Sequence, residues 1–152
     1  MGGNLDTPYR GGFVGRTHRF ALRVYFEDTD TAGIVYYANY LRFMERARSD
    51  MLRSVGIDQR SVMEAGEGVY AVADLTIRYR GSARLDDDLV VLSEVRQVRA
   101  AACVIQQRVM RGDELLTDAT VTAAFITNEG RPKRQPRAWV EIFERLTAEG
   151  DK

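Results

Sequence analysis

Three carboxylates and a glycine crowd into Glu27-Asp28-Thr29-Asp30-Thr31-Ala32-Gly33, between a segment of strand-like alternation and one of helical period. A carboxylate in such a place takes a proton from water or attacks an electrophilic carbon directly. The start of the following helix presents unpaired backbone N–H groups and partial positive charge, which stabilise an oxyanion developing on a carbonyl. Together they suit acyl transfer. Two other readings use the same residues. A calcium loop matches Asp28, Asp30 and Gly33 at its first, third and sixth positions, but Ala32 stands fifth and Asn39 twelfth, where a bidentate carboxylate is required, and a strand rather than a helix precedes it. Turn capping, in which Asp28 and Asp30 accept nearby backbone N–H groups, is the favoured explanation on spacing alone.

Few other side chains compete for a chemical role. His18 is the single histidine, lies in the N-terminal leader and has no carboxylate or cysteine spaced for a triad or a metal site, so it reads as incidental. Cys103 is the single cysteine and reads as a small buried strand residue. It excludes an internal disulfide and a thiolate zinc cluster, which favours a reducing compartment and the cytoplasm. The basic run Arg131, Lys133, Arg134 and Arg137 reads as a solvated loop, and Glu64 as a surface carboxylate.

The elements that must position the loop follow from periodicity. Residues 1–18, with five glycines, read as a flexible leader, and residues 19–148 as one domain. Phe20, Leu22, Val24 and Phe26 alternate with Ala21, Arg23, Tyr25 and Glu27, which predicts a first strand ending near Glu27. Asn39 is the expected N-cap of a long helix to about Val55, with Leu41, Met44, Ala47, Met51, Leu52 and Val55 on its apolar face and Gly56 as its stop. A short helical turn follows at Ser61 to Ala65. Four strands are then expected at about 69–80, 88–98, 101–111 and 117–127, too closely spaced for intervening helices and therefore antiparallel. Trp139, Ile142, Phe143 and Leu146 mark one face of a terminal helix, expected on the sheet edge. The fold class is α+β, one long helix wrapped by an antiparallel sheet.

Bulk composition narrows the function classes. Lys plus Arg (22) balances Asp plus Glu (22), so no global positive field draws nucleic acid. No apolar run of spanning length or secretory signal occurs, so no membrane span is expected.

The words Glu27-Asp28-Thr29-Asp30, Ala32-Gly33-Ile34-Val35-Tyr36, Asn39-Tyr40 and Phe43-Met44-Glu45-Arg46-Ala47-Arg48, with Tyr79 and Ala83-Arg84-Leu85-Asp86-Asp87 further on, resemble one family. It is the hotdog-fold thioesterases, including 4-hydroxybenzoyl-CoA thioesterase and the Tol-Pal-associated acyl-CoA thioesterases. The resemblance implies hydrolysis of an acyl-CoA with no cofactor, Asp30 as catalytic carboxylate (base or nucleophile), and the Tyr37 N–H as oxyanion donor. Gly33, Ile34 and Val35 are implied at the substrate, and Arg99, in the loop between the middle strands, at the coenzyme A phosphates. Several Tol-Pal-type members carry histidine where this chain has Tyr37, and there it looks like the 4-hydroxybenzoyl-CoA branch. A rival hotdog activity, acyl-thioester hydration or dehydration, pairs a histidine with a carboxylate, and a second rival is a non-catalytic acyl-thioester-binding scaffold. An open sheet edge and a half-open pocket predict a homodimer or homotetramer.

Overall fold

The alternating segments fold as six antiparallel strands. In the computed structural model, which describes residues 5–147, they are β1 (Gly12–Val14), β2 (Thr17–Arg23), β3 (Val69–Tyr79), β4 (Asp88–Val98), β5 (Ala102–Arg111) and β6 (Glu114–Ile126), in the spatial order β1-β2-β4-β5-β6-β3. The helices are α1 (Asn39–Ser54), α2 (Gln59–Glu64) and α3 (Arg137–Leu146). This is the α+β hotdog arrangement. Because β3 and β4 are consecutive in the chain but separated by β6 and β5, residues 80–87 must cross the sheet, and they do so beneath the start of α1.

α1 is amphipathic. Tyr40, Phe43, Met44 and Ala47 from its first half pack on Leu89, Val91, Val109 and Val121 of the sheet and on Val24 just past β2, and Met51 and Leu52 from its second half join Val95, Cys103, Ile105 and Phe143. Burial of each large side chain contributes roughly 1.5–3 kcal/mol. Gly56, at φ +87°, ends the helix in the left-handed region that glycine enters without steric cost.

Three expectations change. The first strand stops at Arg23: Val24 still points inward, but Phe26 is 81% exposed and starts a 3-10 turn, Phe26–Asp28. The apolar alternation overran because Phe26, alone among its partners, has no sheet face to cover. The leader boundary at residue 18 falls inside β2, and β1 lies wholly within the presumed leader as one arm of a β1–β2 hairpin. The domain end at 148 lies outside the described residues. Finally, α3 packs on the face of the sheet against β4 and the second half of α1 rather than on an edge, because Phe143 is buried with Met51 and Val95.

Candidate functional site

Asp28 and Asp30 do different work in the loop. Asp28 is consumed by structure: its Oδ2 accepts the Tyr25 N–H at 2.8 Å, and its carbonyl accepts both the Tyr36 N–H (3.0 Å) and Asn39 Nδ2 (2.9 Å). Asn39 is thus the first helical residue rather than the cap, a position held by Ala38. The side chain of Asn39 laces the helix start back onto the loop instead of closing a helix N–H.

Asp30 does part of what turn capping predicts. Its Oδ1 accepts the Ala32 N–H at 2.8 Å and the Ile34 N–H at 3.4 Å, while its N–H donates to Ile34 O (2.8 Å) and its carbonyl accepts the Gly33 N–H (3.0 Å). Gly33 sits at φ +80°, which closes this tight turn at no steric cost. Oδ2 makes no hydrogen bond among the described residues, and Asp30 is exposed. One oxygen therefore fixes the carboxylate, and the other is unengaged among the described residues.

The loop is clamped to the crossover. Val35 N–H donates to Ala83 O (2.8 Å), Ile34 bridges to Arg84, and the buried Tyr40 hydroxyl accepts the Ala83 N–H (2.9 Å). The crossover is itself pinned by Arg111, whose Nη1 donates to Ser82 O (3.0 Å) and Asp87 Oδ2 (2.7 Å). Backbone and guanidinium donors hold the Asp87 carboxyl below its usual range. Val35's side chain belongs to the core, so at this position only backbone faces the loop.

Tyr37 precedes the helix, and its N–H has no acceptor among the described residues. Its carbonyl accepts the Tyr79 hydroxyl at 3.0 Å, and Tyr36, Tyr37, Tyr40 and Tyr79 form a chain of ring contacts around the helix start. Tyr36 and Tyr37 are 47% and 61% exposed. An N–H with no acceptor among the described residues, one residue ahead of the helix cap and held in place through its own carbonyl, can donate to an oxyanion.

The structure gathers Asp30, Gly33, Ile34, Val35 and Tyr37 into one loop and leaves Arg99 apart. Arg99 lies in the β4–β5 turn, and the eleven residues of β4, roughly 35 Å of strand, run between that turn and the crossover end. The basic loop joins Arg99 there: buried Gln135 donates from Nε2 to Arg99 O (2.8 Å) and from its backbone N–H to Ala100 O (2.9 Å). Two hollows, of about 190 and 710 Å³, flank the second half of α1, and Asp30 and Tyr37 line neither. The loop is an open surface.

Sequence reasoning missed the buried polar groups. His18 is not incidental: it is fully buried, with Nε2 2.8 Å from Asp50 Oδ2, which also accepts the Gly11 N–H (2.9 Å). Burial lowers the His18 pKa more than Asp50 raises it. This is a histidine–carboxylate pair, as the hydration reading requires, but it is sealed in the interior beneath the hairpin. Asp50, a charge on the helix's inward face, was the available signal. Cys103 is buried, its thiol pushed up to about 12 by desolvation, and Glu64 is a surface partner of Arg60 (3.2 Å).

Comparison with known proteins places the chain in a family. A family model described as the thioesterase-like superfamily matches residues 24–145. The "Acyl-CoA thioesterase YbgC" of Haemophilus influenzae is 43% identical over 128 residues, covering 84% of this chain and 94% of its own. A solved probable thioesterase from Bartonella henselae superposes with a TM-score of 0.75 at 34% identity, covering 79% of this chain and 99% of its own. A 4-hydroxybenzoyl-CoA thioesterase solved with 4-hydroxybenzoyl-CoA gives 0.75 at 25% identity, covering 84% and 98%.

Proposed function

Since the chain belongs to the thioesterase-like superfamily and is an acyl-CoA thioesterase, we propose that Asp30 and the Tyr37 N–H are its catalytic groups. The thioester carbonyl oxygen accepts the Tyr37 N–H, and the free Oδ2 of Asp30 takes a proton from water as that water attacks the carbonyl carbon. The resulting oxyanion is stabilised by the N–H and by the α1 dipole. When the tetrahedral species collapses, the carbon–sulfur bond breaks and the proton held on Asp30 passes to the departing thiolate. The alternative order, direct attack by Oδ2 to form a mixed anhydride that water then opens, uses the same carboxylate. The observation that carries the reading is the asymmetry of Asp30, one oxygen bound by backbone and the other unengaged, in the loop that delivers the unpaired Tyr37 N–H.

A homodimer through β3 completes the site in this reading. β3 is an eleven-residue edge strand with Val72 half exposed, and unpaired strand edges of that length seek a partner. Tyr36, Tyr37 and Tyr79 are exposed at the other end of β3. With Arg99 a strand's length from Asp30, the coenzyme A phosphates of one site meet the Arg99 turn of the second copy. No described helix is long and apolar enough to cross a membrane, and the free, buried Cys103 supports the cytoplasm as the compartment. Thiol release from short, long and aromatic acyl-CoAs by the purified protein tests the hydrolase reading, and release from none of them refutes it.

A further inference from the structure

Arg48 is set apart by its surroundings: it is half buried on α1, burial lowers its pKa, and it forms no ion pair among the described residues. Its one hydrogen bond there runs from Nη1 to Gln107 Oε1 at 2.9 Å. Gln107 is fully buried, and its amide donates to Met44 O (3.0 Å) and Ser93 Oγ (2.9 Å), so its oxygen is fixed towards Arg48. Glu45, one turn earlier, acts on the guanidinium electrostatically, but desolvation is the larger effect and lowers the Arg48 pKa. A partly desolvated cation held by a neutral amide costs free energy that an acceptor supplied from outside would recover.

The guanidinium borders the hollow of about 190 Å³ between α1 and the sheet. Met51, Val95, Cys103, Ile105 and Phe143 are among its lining residues, together with Glu45, Arg48 and Ser49 of α1. A cavity of about 150 Å³ holds six carbons as a benzene ring, so the volume of this one is large enough for the six-carbon end of a long acyl chain. Val72, on the β3 edge, also lines it, which puts the opening beside the strand proposed to pair with a second copy. Along α1 it begins about 12 Å beyond Tyr37.

We propose that this hollow is the acyl-specificity pocket, and that Arg48 selects acyl groups bearing a carboxylate or hydroxyl at the end remote from the thioester. The inference rests on the thioesterase reading and adds the substrate class. A neutral methyl terminus leaves the guanidinium unsatisfied. An acceptor terminus completes it with a charge-assisted bond.

The test compares two matched pairs of acyl-CoAs whose remote ends span the roughly 12 Å between Tyr37 and the hollow, decanoyl with decanedioyl and dodecanoyl with dodecanedioyl, in a panel that also holds hexanoyl-CoA and 4-hydroxybenzoyl-CoA, which are too short to reach it. The wild type is expected to favour the acceptor-bearing member of at least one pair by roughly 10- to 100-fold in kcat/KM, the range of one hydrogen bond to a charged group. Arg48→Met keeps the aliphatic stem and should abolish that ratio, while Arg48→Lys keeps the charge and should retain part of it. Should Arg48→Met misfold because Gln107 Oε1 is orphaned, the double variant Arg48→Met, Gln107→Leu removes both partners together. Hydrolysis by the wild type with no preference in any pair overturns the inference and leaves the thioesterase reading standing. So does a preference that survives both methionine variants. Thiol release from no member of the panel overturns both readings.

Discussion

Replacing Asp30 with asparagine separates the turn closure that this side chain performs from the catalytic role proposed for it. Oδ1 accepts the Ala32 N–H at 2.8 Å and the Ile34 N–H at 3.4 Å, and an asparagine oxygen accepts the same groups, so the turn closed by Gly33 persists. The loss is confined to the second oxygen, which becomes an amide that neither takes a proton nor attacks carbon. Removal of a general base lowers the rate by ~10²–10⁴, which corresponds to about 2.7–5.5 kcal/mol of transition-state stabilisation. Asp30→Ala removes the turn acceptor as well and should cost an additional ~0.5–1.5 kcal/mol of stability, at the low end because the site is exposed and water replaces the bond. Thiol release measures kcat on each acyl-CoA that the wild type hydrolyses, and thermal unfolding of both variants measures the fold. The expected pattern is an Asp30→Asn protein with wild-type Tm and almost no turnover. Wild-type kcat in Asp30→Asn, or activity that tracks Tm across the two variants, refutes the assignment of Asp30 to chemistry.

Other outcomes follow from the same geometry. Tyr37→Phe keeps the backbone donor and should leave kcat within about tenfold, whereas Tyr37→Pro deletes the N–H and should lower it ~10²–10³-fold; equal effects in a thiol-release assay would remove the oxyanion role. Burial holds His18 below its ordinary 6.5, so the unfolded chain takes up the proton first. Stability is therefore full above about 6.5 and is lost as pH falls through the folded value, and His18→Gln should flatten that part of the Tm–pH curve; an unchanged slope would contradict the sign. Val72→Lys places a charge on the β3 edge and should shift light scattering from dimer towards monomer and lower activity with it; an unchanged mass would place the interface elsewhere.

Much of the fold is legible in the order of residues because its causes are local. Alternation in β2 to β6, the three- and four-residue steps of α1 and the left-handed glycine after it are properties of neighbours along the chain. The candidate loop was legible for the same reason, since carboxylates, Gly33 and a helix start fall within a dozen residues. Local spacing left Asp30 open between capping and chemistry, and the hydrogen bonds show that capping occupies Oδ1 and leaves Oδ2 unbound among the described residues. What required tertiary structure was every feature whose partner is distant in sequence. His18 became a buried group only when Asp50, 32 residues away, came beside it, and Phe26 lost its place in the strand because no sheet face lay opposite. Arg99 met the basic loop through Gln135 rather than meeting Asp30. A polar side chain's role depends on what desolvates it and what satisfies its hydrogen bonds, and both are supplied through space by packed elements rather than by sequence neighbours.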